Sequence, residues 1–196
     1  MLGDLGGDRR EVHDRDVVEQ AREVLGFWFG LPADRHFAKD DALDAEIRAR
    51  FAGMRDRVLA DKAEGWRDDP DTLLAAIILL DQFSRNIHRG SAEAFRGDDL
   101  AASLTLLAID RGWEERFPPE RRVFLLMPLM HAEDAGLQAL SVNRFEALDR
   151  PENTRFAHDH ADVFRRFGRF PGRNAALGRH STPEEEAYLA EPGAGW

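Results

Sequence analysis

The chain contains no cysteine. Disulfides, thiolate metal ligands and a cysteine nucleophile are therefore all excluded. It also lacks any apolar run of membrane-spanning length, and Met1 to Arg10 carry no apolar stretch of signal-peptide length, so a soluble cytoplasmic protein with no membrane partner is expected. Several motifs are missing too. There is no Gly-rich phosphate loop, no Rossmann fingerprint and no Walker lysine, so no nucleotide cofactor is indicated. With no H-E-x-x-H and no E-x-x-H on paired helices, no metal is assigned. No G-x-S-x-G elbow accompanies Ser84 or Ser103, which weakens a serine triad. Positive charge is in deficit as well, since the formal net charge is -10; its field repels polyanions and argues against nucleic acid and anionic membranes as partners.

No segment reads as a strand, and the apolar residues recur at helical spacing instead. The fold class is all-α, with about seven helices packed as antiparallel hairpins. At 196 residues the chain fits one domain with a sizeable core. Residues 1–14, rich in Gly, Asp and Arg, are expected to form a flexible arm before a single helical domain over 15–196.

Helices are predicted over about Asp16 to Phe29, Asp41 to Glu64, Asp71 to Arg89, Ser91 or Ala92 to Asp110, a long helix from Pro119, Glu152 to Phe167, and one opened by a capping box at Thr182-Pro183-Glu184-Glu185. Pro128 inside the long helix predicts a kink one turn before His131. Phe37-Ala38-Lys39-Asp40-Asp41 and Phe95-Arg96-Gly97-Asp98-Asp99 each precede a helix followed by Gly-Trp, a faint sign of stacked hairpins.

The most informative segment is the apolar run Leu73 to Leu80, which ends in Asp81-Gln82-Phe83-Ser84-Arg85-Asn86. On a helix these polar groups prolong the stripe that must be buried, and buried polar groups need partners. Asp81 and Arg85, four residues apart, read either as a structural ion pair or as a carboxylate beside an anion clamp; Gln82, Asn86 and Arg89 are further candidate partners. A second cluster, His131-Ala132-Glu133-Asp134 with Gln138, offers an imidazole three residues from a carboxylate that can orient it. His160 lies on the apolar stripe of another helix. From Val163 through Pro183 there is no acid, while Arg165, Arg166, Arg169, Arg173 and Arg179 fall within the stretch. This is the one region expected to attract anions, the alternative being that its arginines pair with acids elsewhere in the chain.

Leu80 to Asn86 with Arg89, Met127 to Asp134 with Gln138, Arg166 to Pro171 with Arg173-Asn174, Phe27-Trp28-Phe29-Gly30, and Leu177 to Glu185 together resemble the signature blocks of a bacterial domain-of-unknown-function family, number 924. The resemblance covers Val17 to Leu189. It implies an all-helical fold similar to tetratricopeptide-repeat proteins and no established activity. Two departures matter: Ala132 stands where the family usually has serine, and Gly172 where it usually has histidine.

Two functional readings follow, with a third in which the polar residues merely fix helix packing and function lies in protein contacts. In the first, Arg85, Asn86, Arg89, Gln138, His160, Arg169, Arg173 and Asn174 hold a small anionic ligand or an acidic peptide group. In the second, a hydrolase or lyase acts on a small polar substrate with His131 as general base, Asp134 orienting it and Glu133 or Asp81 as proton partner. Oligomeric state is not legible in the sequence.

Overall fold

The structure, a computed structural model, describes the backbone of residues 5–195 and the side chains of 15–195. It is all-helical: α1 (Leu5–Phe29), α2 (Asp41–Ala60), α3 (Pro70–Ile78), α4 (Ser84–Ile87), α5 (Asp98–Asp110), α6 (Pro119–Met130), α7 (Ala135–Ala147), α8 (Pro151–Phe167) and α9 (Pro183–Leu189), with short 3-10 turns leading into α2, α5, α6 and α9. Since α3 and α4 are one rod, the described residues form eight rods, close to the seven expected. The N-terminal arm expected over 1–14 falls partly outside the described residues, at 1–4. The backbone of 5–14 belongs to α1, because nothing between Asp8 and Arg15 breaks a helix.

The starts and stops follow from local chemistry. Asp40 caps α2 by accepting from the backbone N–H of Ala42 and Leu43, and the helix expected from Asp71 starts one residue earlier, capped by Asp69 with Pro70 at the first helical position. The end of α2 at Ala60 comes earlier than its apolar pattern suggests, because Lys62 and Ala63 turn left-handed at φ 52° and 58°. The capping box at Thr182 and Glu185 forms as expected.

The core is built around α3, whose residues from Thr72 to Ile78 are all buried. Trp28, Phe51 and Phe83 meet there, with Phe83 edge-on to Trp28 at 5.5 Å between ring centroids and tilted against Phe51 at 4.8 Å. Consecutive helices pack on one another from α5 through α8, the arrangement of helical hairpins.

Two departures from regular helix position the polar groups. The first is a π-helical turn over Leu79–Phe83, between α3 and α4, a feature that inserts one residue and frees carbonyls from the ladder. Ser84 Oγ donates to Leu79 O at 3.3 Å and Arg85 Nη1 to Asp81 O at 3.0 Å. Gly97 fits against the same turn: a Cβ there would lie 2.7 Å from Leu80 O. The second is a break in the long helix expected from Pro119, which stops at Met130 and restarts at Ala135. Pro128 weakens the rod, and Asp134 caps the new helix by accepting from Leu137 N at 2.9 Å.

Candidate functional site

Asp81 sits in the middle of the π turn with its side chain 1 % exposed. Its carboxylate accepts from Arg85 Nη1 at 2.9 Å, from the Gln82 amide, and meets His131 Nδ1 at 2.7 Å. His131 comes from the break between α6 and α7. The imidazole partner is thus Asp81, fifty residues away in sequence, whereas Asp134, the expected partner, caps α7. The reason is geometric: three residues apart on one helix was the premise, and the helix ends at Met130.

A second buried carboxylate, Asp98 at the start of α5, was not singled out in the sequence. Arg85 grips it with both terminal nitrogens at 2.9 and 3.0 Å, and Arg173 Nη1 adds a third contact at 3.1 Å. Its signal was available in Gly97-Asp98-Asp99, where a glycine permitting close approach precedes a carboxylate. Arg173 Nη2 also donates to His131 O at 2.8 Å, taking up a carbonyl that α6 leaves free at its end. Gln138 Nε2 takes two more, Met130 O at 2.8 Å and Ala132 O at 2.7 Å. The Arg173 guanidinium lies between the Phe95 and Phe170 rings, 4.8 and 4.7 Å from their centroids. His160, on α8, brings its ring centroid to 5.8 Å from that of His131.

The electrostatics define the charge states. Burial pushes the Asp81 carboxyl up, but Arg85 and His131 more than reverse this and hold it well below the usual carboxylate range. Burial pushes His131 down, and Arg85 adds to that despite the opposing pull of Asp81. Burial, with His131 as neighbour, takes His160 down to about 3. Arg173 is lowered to about 10 by burial and by Arg85. Both imidazoles are therefore neutral at pH 7, and the two aspartates balance the two arginines.

An ionised carboxylate can only accept. The one proton of neutral His131 must then be on Nδ1, facing Asp81, and Nε2 carries a lone pair. That nitrogen has no hydrogen bond among the described residues, yet it is not a sealed atom; the side chain is 11 % exposed. The arrangement is that of an oriented base with an open acceptor.

The other expected site residues group elsewhere. Asn86 Nδ2 and Arg89 both reach Asp44 of α2, at 2.7 Å and 2.8–2.9 Å. Arg169 grips Glu185 at 2.7 and 2.8 Å, and Asn174 Nδ2 meets Ser181 Oγ at 3.1 Å and Glu185 at 3.3 Å. The Arg169 guanidinium and the Thr182 N–H pull Glu185 down to about 2. Glu133 accepts from Phe170 N at 2.8 Å and from both terminal nitrogens of Arg179 at 2.7 and 2.9 Å. Among the described residues, no group of at least three His, Asp or Glu is arranged to hold a metal ion. No helix among them is long and apolar enough to cross a membrane.

Comparison with known proteins places the chain in a family. A family model described as "Bacterial protein of unknown function (DUF924)" matches residues 24–193. A solved structure of the protein of unknown function ATU0120 from Agrobacterium tumefaciens is 35% identical, with 89% of this chain and 98% of that chain covered and a TM-score of 0.85. No curated protein matches. The chain belongs to the DUF924 family.

Proposed function

We propose that this family member is an enzyme acting on a small polar substrate, with His131 as general base and Asp81 as the carboxylate that orients it. The observation that carries this reading is the Nδ1 contact to buried Asp81, at 2.7 Å, which leaves the Nε2 lone pair available. In hydrolysis, Nε2 takes a proton from a water molecule as the oxygen attacks the substrate. The resulting imidazolium is stabilised through Nδ1–H by Asp81, and its Nε2 proton then passes to the leaving group. Neutral His160 flanks the ring without repelling that imidazolium. The same base serves a lyase by removing a proton from carbon.

The anion-clamp reading has less support. Arg85, Arg89, Arg169 and Arg173 already meet Asp98, Asp44, Glu185 and Asp98 respectively, so an incoming anion would have to displace carboxylates. A structural role alone accounts poorly for an imidazole with an unused acceptor, because apolar side chains of similar volume fix packing at less desolvation cost.

The test uses the full-length chain against a panel of chromogenic esters, amides and phosphoesters. His131→Gln is expected to lower any turnover by at least about 100-fold while leaving the melting temperature unchanged or raised. Nitrogen NMR of the imidazole is expected to find Nδ1 protonated and Nε2 bare at pH 7. Protonation at Nε2, or a His131→Gln protein that keeps full turnover, overturns the assignment.

A further inference from the structure

A separate cavity of about 480 Å³ lies among Arg55, Asp56, His88, Glu93 and Arg96, a volume suited to a small molecule. It contains none of the residues of the Asp81 cluster. Its floor is Arg55 of α2, whose side chain is 2 % exposed. Arg55 Nε donates to Ser84 Oγ at 2.9 Å and Nη2 to Glu93 O at 2.8 Å, so two neutral acceptors fix the guanidinium. Its charge is met through Nη1, by Asp56 at 2.9 Å and Glu93 at 3.7 Å. Both carboxylates are loosely held, with side chains 61% and 46% exposed. A buried guanidinium whose counter-ions are surface side chains can exchange them for another anion at small cost.

His88 supplies the second observation. Its Nε2 is buried and has no hydrogen-bond partner among the described residues, an unmet polar group of the kind that calls for a partner. Burial and the nearby Arg55 lower its pKa, so the ring is neutral and can offer one N–H. Arg96, 67% exposed, reaches across to Glu93 at 3.2 Å.

We propose that this cavity binds a small oxyanion, the carboxylate or phosphate group of a metabolite. Arg55 Nη1 is the fixed anchor, His88 the second donor and Arg96 the arm that closes over the ligand. Asp56 and Glu93 act as internal competitors: they occupy Arg55 until the ligand arrives and then turn to solvent. This assignment is independent of the reading of His131.

The test is titration of the full-length protein with sodium phosphate and with sodium acetate, against sodium chloride at matched ionic strength. Melting temperature and the backbone amide resonances of His88 and Glu93 are the readouts. A saturable response to phosphate or acetate, absent with chloride, is expected, and the stronger responder identifies the group. Asp56→Asn with Glu93→Gln is expected to tighten the apparent Kd by about 5-fold or more. Arg96→Ala weakens it by a similar factor, and a charge-matched control, Glu152→Gln with Asp159→Asn on α8, leaves it unchanged. Both Arg96 and these acids are exposed, so the variants keep the fold. A response equal to that of chloride, no response at tens of millimolar, or equal tightening by the control pair overturns the proposal.

Discussion

The arginine-rich stretch from Val163 to Pro183 and the Asp81–His131 pair looked alike as places where polar groups crowd an apolar fold, and the structure separates them. In the stretch, each arginine finds a carboxylate: Arg165 with Asp162, Arg166 with Glu184, Arg169 with Glu185, Arg173 with Asp98 and Arg179 with Glu133. Its charge is closed. At His131 the charges also balance, but one nitrogen keeps an unused lone pair. Local excess of charge therefore located a brace, whereas unfilled hydrogen-bonding capacity located the candidate chemistry.

The comparison can be broken most forcefully at Arg85, which serves both Asp81 and Asp98. Arg85→Ala leaves two buried carboxylates short of a partner and is expected to cost about 3–5 kcal/mol in urea denaturation. Gly97→Ala drives a methyl group into Leu80 O at 2.7 Å, and about 1–3 kcal/mol is expected, with shifts in the π-turn amide resonances. Acid separates the regions by window. The unfolded chain takes up protons near 6.5 that native His131 and His160 refuse, since both are lowered and His160 reaches about 3. Stability therefore falls as pH drops from about 6.5, approaching about 1.4 kcal/mol per pH unit for each imidazole. His160→Phe should flatten that slope. Glu185, lowered from 4.5 to about 2, loses its contribution only below about pH 4.5. The smallest effect is expected from Arg165→Ala, whose partner is exposed: about 0–1 kcal/mol.

The helical class and the capping signals were legible in the sequence because they depend on residues a few positions apart. The capping box at Thr182 and Glu185 behaves as local chemistry requires. What sequence reasoning missed depends on contacts across the fold. Arg85, Asn86 and Arg89 sit close in sequence, but Arg85 and Asn86 project about 100° apart and Arg89 lies past the end of α4 at Ile87, so Arg85 turns to Asp98 while Asn86 and Arg89 turn to Asp44. His131 and Asp134 were paired by an assumed continuous helix. The break that invalidates this is held by Gln138, Arg173 and the Asp134 cap, of which only the last is local. Neither Asp98 nor His88 carried a signal strong enough to enter the candidate site; one is identified by the arginines that converge on it and the other by a nitrogen that nothing meets.

At Gly172 the missing side chain has a spatial counterpart, since a Cβ there would come within 3.0 Å of the Gly195 backbone. A histidine at this position and a tail running past it are thus competitors for one space.

The π turn sets a rotational phase. Its extra residue turns everything after Phe83 by about 100° relative to an uninterrupted α-helix, and that offset aims Arg85 at α5 and delivers Arg89, in the turn just past the end of α4, to α2. Deleting a single residue between Leu79 and Phe83 would keep the rod helical and nearly the same length, yet point both arginines away from their carboxylates. In this protein the spacing of a short apolar segment acts as an angular dial.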